Sequence, residues 1–502
     1  MEKKQIIKLV FVLIATIVAW VIPPECLGMP DLTIIEQRVI SIFVFAALMW
    51  ILEVIPIWTT SVLVIVMMLL LVSDSSFVFL QPEGFTTLLG QEKAGTISES
   101  DMATLSQMKD SFGTFISHKS IMATFADPII MLFMGGFALA IAATRTGLDL
   151  NLARVMLKPF GTRSEIVLLG FMIVTATFSM FMSNTATAAM MLAIVSPVLR
   201  QLPSEGKGRV ALALAIPIAA NVGGIGTPIG TPPNAIALRY ITSAESGLSI
   251  DIGFGQWMLV MVPFVILIMA FSWLLLIKLY PFKQKHFEIK IEGEFKKDAR
   301  SIIVYITFAV TVILWLLDKA TGLNSNVVAM IPLAVFCITG IIGKEELKSI
   351  NWDVLWLVAG GFALGVGLQG SGLAKHIIES IPFSEWSPLV VFAGSGLICY
   401  LMSTFMSHTA SSALLVPILA TVAKGMGDSI TPYGGIVTML VGVAVCSSLA
   451  MALPISTPPN ALAHATGHTT QKDMATTGLI ISFVGMVVGY FMLYGASCLG
   501  IM

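Results

Sequence analysis

Two short runs of small polar side chains stand inside long apolar stretches: Ser179, Ser183, Asn184 and Thr185, and later Ser403, Ser407, His408 and Thr409. Hydroxyl and amide oxygens are ligands for hard cations, while hydroxyl, amide and free backbone hydrogens bind carboxylates. Backbone can leave the helix at membrane depth only where it lines a cavity or is buried in protein. A helix broken at either run exposes two ends. The half-helix beyond, from Ala186 or Ala410 onward, aims N–H groups and a positive dipole end at an anion, while the oxygens hold a small cation. The plainer alternative is that these hydroxyls bond to their own backbone or to a neighbouring helix. Two such runs in matching positions argue against it.

A second pair of breaks follows. Gly223-Gly224-Ile225-Gly226-Thr227-Pro228-Ile229-Gly230-Thr231-Pro232-Pro233-Asn234 has a partner in Pro454-Ile455-Ser456-Thr457-Pro458-Pro459-Asn460. Two consecutive prolines remove backbone donors and exclude a continuous helix, and the glycines allow unusual backbone angles. Carbonyls freed near Gly230 and Ser456 are candidate cation ligands.

The pairing extends along the chain. Gly135-Gly136-Phe137-Ala138-Leu139 returns as Gly360-Gly361-Phe362-Ala363-Leu364, a shift of 225 residues; Ser183-Asn184-Thr185-Ala186 returns as Ser407-His408-Thr409-Ala410, a shift of 224; Thr231-Pro232-Pro233-Asn234-Ala235 returns after 226. Three motifs in one order at one spacing define an internal repeat. The glycine pairs read as close helix packing rather than ligand contacts.

The elements that must hold these motifs are membrane spans. Of the 502 residues 56% are hydrophobic and 11% charged, with mean hydropathy +0.92, more apolar than a water-exposed surface allows. Roughly eleven stretches reach the ~20 residues a spanning helix needs: about 7–24, 39–56, 58–80, 128–146, 209–238, 256–281, 302–318, 326–343, 352–372, 434–466 and 477–499. Residues 81–127 read as a polar loop and 282–301, with Lys283, Lys285, Lys290, Lys296, Lys297 and Arg300, as a cytoplasmic linker. With the N-terminus in the cytoplasm and 165–200 and 387–423 as re-entrant hairpins, 20 of the 28 Lys and Arg fall on the cytoplasmic side. The remainder are Arg38, Lys93, Lys109, Lys119, Arg239, Lys319, Lys375 and Lys424.

The expected fold class is therefore an all-α polytopic membrane protein of about 11 spans plus two re-entrant hairpins. An N-terminal helix occupies 1–38, the first repeat 39–281 with hairpin 165–200 and broken helix 209–238, and the second repeat 302–499 with hairpin 387–423 and broken helix 434–466. Five spans per repeat is an odd number, so the second copy enters from the opposite side, an inverted repeat.

Other chemistry has no anchor in the sequence. The six histidines lack metal-binding spacing, no phosphate-binding glycine loop occurs, and no paired carboxylates or Ser-His-Asp set can be placed. The protein is not expected to be an enzyme, and no nucleic-acid partner is expected. Cys26, Cys337, Cys399, Cys446 and Cys498 read as packing residues. Lys3, Lys4 and Lys8 before an apolar run resemble a signal peptide, but the spans that follow favour a retained first helix. Glu53, before Pro56, is an intramembrane carboxylate with a functional or a structural role.

The two Ser-(Asn/His)-Thr tips, the two Thr-Pro-Pro-Asn breaks and Leu52-Glu53-Val54-Ile55-Pro56 together resemble the divalent anion/sodium symporter family, which includes sodium-coupled di- and tricarboxylate and sulfate transporters. The resemblance runs from about residue 38 onward. It implies a homodimer working by an elevator mechanism, with a transport domain of hairpins and broken spans moving against a scaffold. It implies one sodium site at Ser179, Ser183, Asn184 and Gly230 and a second at Ser403, Ser407, His408 and Ser456. Substrate would meet Asn184, Thr185, His408 and Thr409, with Thr231 and Thr457 nearby. His408 departs from the family, which has Asn there; an imidazole lacks the amide oxygen.

The expectation is sodium-coupled import of a C4-dicarboxylate such as succinate, malate or fumarate across a bacterial inner membrane, with membrane lipid as surroundings. The alternatives are a cation-independent dicarboxylate exchanger, a carrier of sulfate or another divalent oxyanion, and, from a different class, an ion channel with a continuous pore.

Overall fold

The structure, a computed structural model, describes residues 3–27, 29, 31–203, 207–243, 248–286, 296–380 and 385–502. Lys290 and the middle of the linker lie outside the described residues. Among those described there are helices and two isolated β-bridges, Ser73 with Ile116 and Arg163 with His286, but no strand.

The first half runs α1 (Lys3–Val21), α2 (Ile34–Leu52), α3 (Ile57–Leu71), α4 (Phe85–Ala94), α5 (Glu99–Phe112), α6 (His118–Ala123), α7 (Pro128–Thr146), α8 (Leu148–Leu157), α9 (Ser164–Ser179), α10 (Asn184–Gln201), α11 (Gly208–Gly224), α12 (Pro232–Thr242) and α13 (Phe254–Leu279). The second half runs α14 (Ala299–Leu316), α15 (Asp318–Thr321), α16 (Ser325–Val328), α17 (Met330–Ile338), α18 (Lys344–Lys348), α19 (Trp352–Gly370), α20 (Leu373–Ser380), α21 (Pro388–Phe405), α22 (His408–Met426), α23 (Gly435–Ser448), α24 (Pro458–Ala465) and α25 (Gln471–Cys498).

Nine helical segments among the described residues are long and apolar enough to cross a membrane. Only 6% of the apolar window of α1 is buried, with Ile7, Phe11, Ile14 and Ile17 all exposed, so this face needs lipid or protein against it, not water.

Local sequence explains where the elements stop. α2 opens on a capping box, Thr33 with Glu36, and closes at Glu53, a left-handed residue (φ 47°) three positions before Pro56. α7 opens on Asp127, whose carboxylate accepts from Ile129 N at 2.9 Å, and closes on Gly147 at φ 67°. α11 ends in Gly223-Gly224, and α12 and α24 each begin on a proline pair.

Helix pairs α9/α10 and α21/α22 pack side by side on short tips at 180–183 and 406–407. The expected loop 81–127 carries α4, α5 and α6; Ser98 caps α5 by accepting from Asp101 N at 3.1 Å, a polar helix that apolar periodicity does not reveal. The expected span 326–343 is two short helices meeting at Ala329. Of the cysteines, only Cys399 and Cys446 are buried; Cys26, Cys337 and Cys498 are exposed and do not pack a core.

α9 and α10 pack on α11, and α21 and α22 on α23. The halves interlock because α12 packs on α22 and α23, while α24 packs on α10 and α11. Beyond these contacts α3 packs on α19, α19 in turn on α22, and α7 on α14, α16 and α17. The repeated glycine pairs are close helix contacts. A Cβ on Gly135 would lie 2.1 Å from Ala329 O, and one on Gly360 would lie 2.4 Å from Ser61 Cβ. Their neighbours face the other way: Gly136 meets Ile229 of the first break, and Gly361 meets Ala413 of α22.

Candidate functional site

Both hairpin tips and both breaks open on one cavity of about 760 Å³. Ser183, Asn184, Thr185, Gly230, Thr231, Ser407, His408, Thr409, Ser456 and Thr457 line it. The remaining two sequence candidates, Ser179 and Ser403, are fully buried behind the tips. Residues 224 and 226 positions apart in sequence are thus brought to one place.

Four helices begin at the cavity: α10 at Asn184, α12 at Pro232, α22 at His408 and α24 at Pro458, and each of these residues is in its wall. Their dipoles converge positive end inward. The prolines opening α12 and α24 carry no N–H, so backbone donors for an anion come chiefly from the first turns of α10 and α22. The residues that should cap those turns, Ser183 and Ser407, make no side-chain cap hydrogen bond. Those N–H groups stay open to a ligand. Among the described residues no Lys or Arg lines the cavity; the ionisable ones that do are His408 and, in its wall, Glu53 and Asp353.

Behind the first tip is a knot of oxygens. Ser179 Oγ lies 2.6 Å from Asn184 Oδ1 and 2.7 Å from Ala220 O, one hydroxyl hydrogen between two acceptors. A Cβ on Gly224 would stand 2.7 Å from Asn184 Oδ1 and 3.0 Å from Gly230 O. One on Gly230 would stand 2.4 Å from Gly224 O and 2.9 Å from Ser179 O. Glycine is required at both positions because these oxygens crowd one spot. Asn234 fixes the unwound backbone, donating Nδ2 to the carbonyls of Gly224 (3.0 Å), Ile225 (3.3 Å) and Thr227 (2.8 Å). An all-oxygen set of this kind fits a hard cation such as Na⁺.

The second tip is built differently. His408 Nε2 lies 2.7 Å from Ala450 O, and a carbonyl only accepts, so the ring nitrogen carries the hydrogen. Ala450 is the position that matches Gly224 at a shift of 226. Ser447 Oγ donates to His408 O at 3.0 Å and lies 2.9 Å from Ser403 Oγ; Ser456 Oγ donates to Thr404 O at 2.8 Å. Where the first half has an amide oxygen, the second has a ring N–H spent on the matched carbonyl. This donor set does not fit a cation as the first does.

Three contributors escaped sequence reasoning. Asn234 and its match Asn460 are the staples of the breaks, Asn460 Nδ2 donating to Met451 O (2.7 Å) and Leu453 O (3.0 Å). Asn221 lines the cavity and bonds across the repeat to Thr457 and Asn460. Its only signal in sequence is an amide in the apolar run of α11.

A cavity at unwound helices within a bundle of membrane-length helices defines a multi-pass membrane transporter. Comparison with known proteins agrees. The citrate transporter family matches residues 47–442. An uncharacterized transporter of Haemophilus influenzae is 32% identical over 74% of this chain and 82% of its own length. The sodium-dependent dicarboxylate transporter SdcS of Staphylococcus saprophyticus is 32% identical over 76% of this chain and 79% of its own. Two solved structures share the fold at TM-score 0.51: Neisseria gonorrhoeae MtrF, titled for a class of antimetabolite efflux pumps, at 13% identity over 75% of this chain and 83% of that one, and the Alcanivorax borkumensis YdaH transporter, at 12% over 80% and 90%. The chain belongs to the citrate transporter family, in agreement with its resemblance to the divalent anion/sodium symporters. It is a transporter and not an enzyme.

Proposed function

We propose that the protein imports a C4-dicarboxylate, such as succinate, malate or fumarate, together with sodium across a bacterial inner membrane. The observation that carries this reading is the convergence of four helix N-termini on a cavity that no Lys or Arg lines among the described residues. A dianion there is met by dipoles, open N–H groups, the hydroxyls of Thr185, Thr409, Thr231 and Thr457, and the charge of a cation held nearby. Each helix end contributes roughly 0.3–1 kcal/mol when exposed and up to ~2 when partly buried. A co-bound sodium supplies the rest, at Ser179, Ser183, Asn184 and Gly230. The sodium-dependent dicarboxylate transporters among the relatives support substrate and ion alike.

In this reading the N-terminus is cytoplasmic, 165–200 and 387–423 are re-entrant hairpins, and 39–281 and 302–499 are inverted repeats. The hairpins and breaks move as one body against the helices that hold α3, α7 and α19. The protein works as a homodimer in lipid.

A second reading, cation-independent dicarboxylate exchange, is favoured by one observation: His408 puts a hydrogen where the matched site has an oxygen. Competition against labelled succinate uptake in proteoliposomes tests the substrate class. Malate and fumarate should compete and sulfate should not. Competition by sulfate alone overturns the dicarboxylate assignment, and labelled counterflow without sodium would favour exchange.

A further inference from the structure

Asn221 sits in α11 one turn before the first break, 1% exposed, and forms part of the cavity wall. The orientation of its amide follows from its neighbours. Asn460 Nδ2 is committed to the carbonyls of Met451 and Leu453, so the atom it offers Asn221 is Oδ1. Asn221 must answer with Nδ2, at 3.2 Å, and the same nitrogen donates to Thr457 Oγ1, also at 3.2 Å. Both amide hydrogens are therefore spent. Among the described residues Asn221 Oδ1 has no hydrogen-bond partner, and Asn221 stands in the cavity wall, which leaves an acceptor for an occupant of the cavity.

Thr457 beside it carries the complementary group. Its oxygen accepts from Asn221 Nδ2 and from Asn460 N at 3.1 Å, so both lone pairs are used. What remains is its O–H, a donor. The corner thus presents one donor and one acceptor side by side in a cavity otherwise rich in donors. A carboxylate alone has no hydrogen for Asn221 Oδ1. A hard cation takes about six oxygens, and this corner frees only one. An alcohol next to a carboxylate uses both groups.

We infer that Asn221 and Thr457 form a specificity corner for a dicarboxylate bearing a hydroxyl beside one carboxylate. Thr457 O–H donates to the carboxylate, and Asn221 Oδ1 accepts from the hydroxyl. The position is not used this way in the other half: residue 447, its match at a shift of 226, is a serine that supports the His408 backbone. The inference rests on the dicarboxylate reading above and refines its substrate.

The test compares kcat/KM for malate and for succinate in proteoliposomes. The protein should favour malate about tenfold, the scale of one neutral hydrogen bond. Asn221→Leu, similar in shape but without an acceptor, should bring the ratio close to one. Asn221→Ser, too short to reach, should do the same and serves if the leucine variant fails to fold. A residue that only held Thr457 in place would slow both substrates equally, so an unchanged ratio in a transporting variant overturns the corner. Equal use of both substrates by the unaltered protein overturns it as well. Transport of neither would instead sink the dicarboxylate reading beneath it.

Discussion

Asn184 and His408 stand at matched tips of the two halves, 224 residues apart, and present opposite hydrogen-bonding faces to the breaks beside them. Asn184 Oδ1 accepts from Ser179 Oγ at 2.6 Å and crowds the space over Gly224, whereas His408 Nε2 donates to Ala450 O at 2.7 Å. One half keeps an oxygen-lined pocket, and the other closes its counterpart with a ring. In the proposed function the repeat supplies two matched frames, and the tip side chain, Asn184 or His408, governs whether each can hold a cation.

Asn184→Ala removes an oxygen from the first frame and the acceptor of Ser179. Sodium-dependent uptake should fall at least about tenfold, the scale of ~1.5–3 kcal/mol for a hydrogen bond to a charged group. Initial rates against sodium concentration check this. An unchanged rate and unchanged sodium activation would remove Asn184 from the site.

His408→Asn returns an amide oxygen to the second frame. The variant should bind sodium more tightly and show a steeper sodium activation curve than the unaltered protein. Coinciding curves would mean that the ring does not decide cation occupancy.

Gly230→Ala should abolish transport while leaving the protein in the membrane, because its Cβ would stand 2.4 Å from Gly224 O and 2.9 Å from Ser179 O. Both are backbone atoms of the break and the tip, which cannot yield without distorting the oxygen set. Gly427→Ala serves as the comparison: nothing lies within 4 Å of a Cβ there, although its φ of 55° adds strain. Equal transport by the two variants would refute the crowding argument.

Arg239, near the end of α12, donates Nε to Asp127 Oδ2 at 2.7 Å and stacks 4.3 Å over Phe362 of α19, with only 6% and 13% of the two ionic side chains exposed. The pair ties the helix after the first break to the start of α7. A double-mutant cycle with Asp127→Ala and Arg239→Ala, read by thermal unfolding in detergent, should give a coupling of about 2 kcal/mol or more. Breaking one side of a buried pair costs ~3–5 kcal/mol. Additive effects would show that the pair does not hold α12 to α7.

Much of this was legible because it depends on composition and period. The glycine pairs, the tips and the proline pairs announced two copies of one plan, and paired prolines stop a helix whatever surrounds them, so α12 and α24 begin where the sequence places them. What escaped depends on partners distant in sequence. Asn221 is one amide in an apolar run, and its meaning comes from Thr457 and Asn460, more than 230 residues away. Asn234 and Asn460 were visible as motif letters, but their role as staples exists only once the backbone has unwound around them. The helices of 81–127 escaped because their polar faces carry little apolar periodicity.

The central claim, that four converging helix ends and one oxygen-lined pocket carry a dicarboxylate with sodium, is tested most directly by uptake of labelled succinate into proteoliposomes with and without an inward sodium gradient. Accumulation above the equilibrium level only with the gradient is the predicted result. Accumulation that is identical in the absence of sodium, or no succinate flux in either case, would contradict it.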